Sequence, residues 1–166
     1  MMSRRKTLWG LGAVTAAVAG VRGLLSSSPA EAAAPSHAYE VSYSDAEWQK
    51  RLQPDAYRVL RRAGTEAPNS SPLNKEKRAG TYNCAGCALP LFASATKFES
   101  GTGWPSFYKA IDGAVVEETD NSLFMKRTEV LCKRCGGHLG HVFDDGPKPT
   151  GLRYCMNGVS LAFKAA

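Results

Sequence analysis

The spacing of apolar and polar positions changes twice along the chain. Leu8 to Val21 is an unbroken run of apolar and small residues, too short and too rich in Gly and Ala to cross a bilayer, which takes about 20 mainly apolar residues. Between residues 44 and 63 the pattern becomes helical. Ser44 followed by Glu47 is a capping-box signature, so a short helix is predicted from Asp45 to about Gln53, stopping near Pro54. A second is predicted over Asp55–Ala63, with Tyr57, Val59 and Leu60 among basic residues, Arg61 and Arg62 in the last turn and Gly64 as its stop. Both helices read as peripheral. Residues 65–80 are polar and contain Pro68 and Pro72, and beyond Gly80 the rhythm shortens to β-type runs between turn residues: Leu89–Phe92, Val115–Glu118, Leu123–Val130 and Val159–Phe163. The expected architecture is an antiparallel β core over about residues 80–166 with two helices packed on it.

Composition supports one domain. A chain of 166 residues with 16 Gly and 9 Pro is turn-rich and long enough for a single sizeable core. The formal charge of +6 is concentrated at the N-terminus, and residues 35–166 carry 17 basic against 14 acidic side chains. That balance removes most of the case for a nucleic-acid partner. The N-terminus reads instead as an address: Ser3-Arg4-Arg5-Lys6-Thr7-Leu8 precedes the apolar run, and Ala30-Glu31-Ala32-Ala33-Ala34 offers an A-x-A cleavage site before Pro35. The paired arginines resemble a twin-arginine signal, although Thr7 stands where an apolar residue is usual. An ordinary secretory signal or a retained anchor with Arg22 at its far end are the alternatives. Residues 1–34 are therefore expected to be an export signal that is removed, residues 35–43 a flexible lead-in, and residues 44–166 one domain, periplasmic and without stable membrane insertion.

The cysteines carry the clearest chemistry. Cys84-Ala85-Gly86-Cys87 and Cys132-Lys133-Arg134-Cys135 are two CxxC pairs with 44 residues between them. Such turns present two thiolates each, and a pair of them makes a closed four-sulfur zinc site with no open position for chemistry. In an exported protein, disulfides are the competing reading. Export by a route that carries folded cargo would allow zinc to be loaded before the thiols meet an oxidising compartment.

The fifth cysteine, Cys155, lies in Arg153-Tyr154-Cys155-Met156-Asn157, where two-residue spacing puts Arg153, Cys155 and Asn157 on one strand face. A guanidinium beside a thiol favours the nucleophilic thiolate, and Asn157 offers an oriented amide. A buried structural cysteine is the plainer alternative. Gly137-His138-Leu139-Gly140-His141 follows the second CxxC and supplies two imidazoles for proton transfer, with a pair of surface histidines or catalytic zinc ligation as the other readings, while Gly101-Thr102-Gly103-Trp104-Pro105-Ser106-Phe107 is an apolar turn that belongs to the core or walls a small pocket.

Ser71-Pro72-Leu73-Asn74, the two CxxC pairs, Gly103-Trp104-Pro105-Ser106-Phe107, Gly137-His138-Leu139-Gly140-His141-Val142-Phe143 and Arg153-Tyr154-Cys155-Met156-Asn157, in this order, resemble the B-type peptide-methionine sulfoxide reductases from about Tyr43 to Phe163. The resemblance implies a mainly β fold of two antiparallel sheets with short N-terminal helices. It also implies one structural Zn2+ on Cys84, Cys87, Cys132 and Cys135, and Cys155 as the nucleophile reducing the R epimer of methionine sulfoxide in oxidised proteins. His138, His141, Asp145, Arg153 and Asn157 match the polar active-site positions, and Trp104, with Phe107 and Phe143, the substrate-binding ones. Many such enzymes carry a resolving cysteine where this chain has Thr102, so a thioredoxin-like protein or another external thiol is expected to reduce the sulfenic acid on Cys155. A zinc-ribbon binding module and a CxxC dithiol oxidoreductase are the other classes the cysteines allow.

Overall fold

The computed structural model describes residues 39–166 except 123 and 124. The expected export signal lies outside the described residues. The capping box forms as expected: the Glu47 N–H donates to Ser44 Oγ, and the Ser44 N–H donates to Glu47 Oε2 at 2.9 Å. Helix α1 (Asp45–Arg51) ends two residues early, and α2 (Pro54–Arg62) starts on the proline itself, whose missing N–H costs nothing in a first turn. The left-handed residue that ends α2 is Ala63, not Gly64. The helices are not peripheral. Trp48 is 2% exposed and Val59 and Leu60 are buried, so one face of each helix belongs to the core. Val41, in the stretch expected to be a flexible lead-in, is tied down by its N–H donating to the Arg134 carbonyl at 3.0 Å.

Among the described residues nine strands follow: β1 (Gly80–Cys84), β2 (Pro90–Ala93), β3 (Lys97–Phe98), β4 (Ser106–Phe107), β5 (Val115–Asp120), β6 (Arg127–Cys132), β7 (His138–Phe143), β8 (Arg153–Met156) and β9 (Leu161–Ala165). They make two antiparallel sheets, as expected, ordered β2-β1-β9 and β3-β4-β8-β7-β6-β5. The run expected over Leu123–Val130 begins at Arg127 instead; Leu123 and Phe124 lie outside the described residues. The last strand starts at Leu161, after a 3-10 turn over Gly158–Ser160.

Aromatic side chains join the sheets. Phe107 of the large sheet stacks on Phe92 of the small one with centroids 4.4 Å apart and meets Tyr82 edge-on at 4.8 Å, while Tyr154 packs against Phe92 at 5.7 Å. Because side chains alternate along a strand, this fixes the large sheet's orientation. Phe107, Val142, Tyr154 and Met156 turn inward to the core, which leaves Ser106, His141 and Cys155 on the opposite face.

Candidate active site and metal centre

Cross-strand register assembles the site. Cys155 on β8 lies opposite Ser106 on β4 and His141 on β7; His141 lies opposite Glu129 on β6, and Glu129 opposite Glu118 on β5. Partners in such a row share a face, and two-residue steps add Arg153, Phe143, Arg127 and Asp120 to it. Gly140 lets β7 approach β8: a Cβ there would collide with the Cys155 carbonyl. A cavity of ≈ 150 Å3 opens over the row, walled by Trp104, Arg127, His141, Phe143, Cys155 and Asn157. Sites for whole small molecules hold about 300–1,000 Å3, so this one fits the end of a single side chain.

Its charges are paired. His141 Nε2 lies 2.9 Å from Asp120 Oδ2, and Arg127 donates to the same oxygen at 2.6 Å. Burial pulls the His141 pKa down against the opposing pull of the Asp120 hydrogen bond, so the ring is neutral at neutral pH. Hydrogen bonds from Ser122, and then the one with His141, hold the Asp120 carboxyl far below the usual carboxylate range. The His138 ring is 4% exposed; its Nδ1 lies 2.5 Å from Glu129 Oε1, and its Nε2 has no hydrogen-bond partner among the described residues. Arg153 grips Asp145 through two bonds of 2.8 Å and lies 4.4 Å over the Phe143 ring.

Burial pushes the Cys155 thiol upward, and the opposing pulls of the Thr102 hydroxyl and of Arg153 do not overcome it. The resting sulfur is therefore a thiol. Arg153 pulls toward the thiolate expected from the sequence, but burial outweighs it, and the guanidinium is itself paired with Asp145.

Of the expected residues, Trp104, His141, Phe143 and Cys155 wall the cavity, while His138 stands beside His141, and Arg153 with Asp145 stands over Phe143. The structure removes Phe107 from the expected set: the ring is 0% exposed and sits in the core, since Ser106 faces Cys155 and the next residue must face away. Asn157 borders the cavity, but its Oδ1 accepts from the Glu66 N–H at 2.9 Å and its Nδ2 donates to the Leu139 carbonyl at 3.1 Å. The amide fastens the loop before it shapes the pocket. Sequence reasoning missed four residues. Arg127 and Glu129 alternate along a strand, a legible signal once β6 is in register; Asp120 ends β5; Glu66 lies in a polar stretch with no local signal. Glu66 is 5% exposed. Its carboxylate accepts from the backbone of Gly158 and Val159 at 2.5 and 3.1 Å, and its carbonyl accepts from Trp104 Nε1 at 3.2 Å.

The other four cysteines form a separate cluster whose sulfurs all lie within 4.8 Å of one another. Cys84 Sγ is 3.7 Å from Cys135 Sγ, and Cys87 Sγ is 3.5 Å from Cys132 Sγ. Disulfide sulfurs sit about 2.05 Å apart, whereas a tetrahedral ion with ~2.3 Å bonds to sulfur spaces its ligands ~3.8 Å apart. The cluster has the spacing of a metal site, and it could hold one ion. The Gly86 N–H, which donates to Cys84 Sγ at 3.3 Å, suits a thiolate ligand. Hydrogen bonds within the crowded cluster, the one with Cys132 first, push the Cys84 thiol upward and hold the Cys87 thiol down.

A family model described as the SelR domain matches residues 52–165. A peptide methionine sulfoxide reductase MsrB of Leptospira interrogans is 57% identical over 127 residues, 76% of this chain and 97% of the relative. One from Methanosarcina mazei is 57% identical over 125 residues, 75% and 89% of the two chains. One from Pseudomonas putida is 60% identical over 119 residues, 71% and 90%. The matched span runs from just before α2 through β9 and holds both the cavity and the sulfur cluster, so the chain belongs to the SelR domain family, together with these MsrB proteins.

Proposed function

We propose that the protein repairs oxidised proteins by reducing the R epimer of methionine sulfoxide to methionine at Cys155, with an external thiol closing the cycle. Membership of the family of MsrB proteins supports the reaction. The observation that carries the reading is a half-buried thiol in a cavity of side-chain size, between the aromatic rings of Trp104 and Phe143 and the imidazole of His141.

A sulfoxide sulfur is electrophilic, but its oxygen leaves only when protonated. Cys155 attacks the sulfur, and its thiol proton passes through the His141 ring to the oxygen. His141 suits that passage because it rests neutral and Asp120 fixes its Nε2. The sum balances: Cys–SH and R–S(O)–CH3 give Cys–SOH and R–S–CH3. Selectivity follows if the methyl group packs on Trp104 and Phe143 while the oxygen faces His141, since the S epimer cannot satisfy both. The sulfenic acid then condenses with an outside thiol, losing water, and a second thiol releases Cys155. An outside thiol is required because Thr102 faces Cys155 and the remaining four thiols are gathered in the cluster.

Zn2+ is the ion we assign to Cys84, Cys87, Cys132 and Cys135. When bound it supplies folding free energy and rigidity and leaves no ligand position open; the second pair leads straight into β7 and its two histidines. Residues 1–34 are, in the same reading, a twin-arginine-like signal that takes the enzyme to the periplasm. Turnover of the separated epimers of an N-blocked methionine sulfoxide tests the activity. Reduction of the R epimer alone, abolished by Cys155→Ser, is expected; equal rates on both epimers, or full activity of the serine variant, would overturn it.

A further inference from the structure

Three hydroxyls line the side of Cys155 that faces away from His141, because β4 and β7 flank β8 on opposite sides. Ser106 Oγ donates to the Trp104 carbonyl at 3.1 Å and lies 2.7 Å from Ser100 Oγ; Ser100 Oγ lies 2.8 Å from Thr102 Oγ1, which lies 3.8 Å from Cys155 Sγ. A hydroxyl has one hydrogen to give. With the Ser106 hydrogen on the Trp104 carbonyl, Ser100 must donate to Ser106, Thr102 must donate to Ser100, and Thr102 can only accept from Cys155. The chain thus runs away from the sulfur and matches a thiol. Reversed, it aims three hydrogens toward a thiolate, at the expense of the bond to the Trp104 carbonyl.

We propose that Thr102, Ser100 and Ser106 form a reversible hydroxyl relay, anchored on the Trp104 carbonyl, that accepts from Cys155 at rest and turns to donate to its sulfur when the thiol proton leaves for the substrate. No atom leaves the relay; three O–H bonds rotate. Thr102 and Ser106 reach the reacting sulfur, and Ser100 is a positioning residue acting through them. The other groups around Cys155 are charged or titratable: Arg153 with Asp145 from its own hairpin, His141 with Asp120, and Arg127 from β6. The inference rests on Cys155 as nucleophile, but its test does not need turnover.

The relay makes opposite signs for its members. Thr102→Val removes the donor to the thiolate and should raise the pH midpoint of Cys155 alkylation by about one unit, since a hydrogen bond to a charged group is worth ~1.5–3 kcal/mol. Thr102→Ser should restore the midpoint. Ser100→Ala frees Thr102 from its outward bond and should lower the midpoint by about half a unit, whereas Ser106, which also bonds the sulfur itself, gives no clean sign. Alkylation of zinc-loaded protein, followed at the Cys155 peptide by mass spectrometry, reads this directly. Ser100 is partly exposed, so its substitution leaves the core packing in place. An upward shift in Ser100→Ala, or no shift in either Thr102→Val or Ser100→Ala, would overturn the relay. Persistent turnover by Cys155→Ser would sink the catalytic reading and leave these shifts untouched.

Discussion

Replacing Glu66 by Gln exchanges one carboxylate oxygen for an NH2 group where two backbone donors converge. In the wild-type protein the carboxylate accepts from Gly158 and Val159 at 2.5 and 3.1 Å, and with 5% exposure water cannot take its place. After the exchange one backbone N–H meets a neutral acceptor and the other faces a donor. Losing a charge-assisted bond costs about 1.5–3 kcal/mol, and orphaning a buried donor about 1–3 kcal/mol, which together give about 3–5 kcal/mol. Total stabilities are only about 5–15 kcal/mol, and at about 3–5 °C per kcal/mol for a domain of this size the melting temperature should fall by about 10–20 °C. Circular dichroism melting of zinc-loaded wild type and variant measures it. The same residue holds the Trp104 indole and the Asn157 amide through its backbone. A loosened loop should therefore raise KM more than it lowers kcat. A melting temperature within about 2 °C of wild type would refute the reasoning, because the two N–H groups would then have another partner.

Cys87→Ser should lose stoichiometric zinc, read by elemental analysis, and melt early, since one of four ligands to a structural ion is gone; an unchanged melting curve without metal would remove zinc from the fold. The two phenylalanines should separate: Phe107→Ala should cost about 3–5 kcal/mol in denaturant unfolding as a core cavity, while Phe143→Ala, on the cavity wall, should lower kcat/KM about tenfold with little change in stability. The folded pKa of His141 lies below its unfolded value near ~6.5. Its contribution to stability is therefore complete above that pH and declines as pH falls through the window below it, where the unfolded chain binds the extra proton. Wild type should lose more stability than His141→Gln between pH 7.5 and pH 5.5 in paired melts.

Local signals in the sequence were enough to place whatever depends on neighbouring residues. Ser44 and Glu47 cap a helix because both partners are three residues apart, and Pro54 divides the helices because its ring fits a first turn and no other. Each CxxC delivers two sulfurs from one turn, so the ligand set was legible although its halves are 44 residues apart. The spacing of Arg153, Cys155 and Asn157 likewise fixed their common face. Strands β4 and β7 were not legible as strands: β4 has only two residues, and His138–Phe143 mixes glycine and histidine with apolar side chains. Which face they turned inward waited on the stacking of Phe107 against Phe92 across the sheets. That contact sent Phe107 to the core and Ser106 to Cys155. Asp120 and Glu66 were beyond reach for the same reason. A carboxylate's partner is chosen by the fold, and these partners stand 21 residues away at His141 and 92 away at Gly158. Even the state of Cys155 was a tertiary matter: the sequence put a guanidinium two residues away, but only packing could bury the sulfur and give that charge to Asp145.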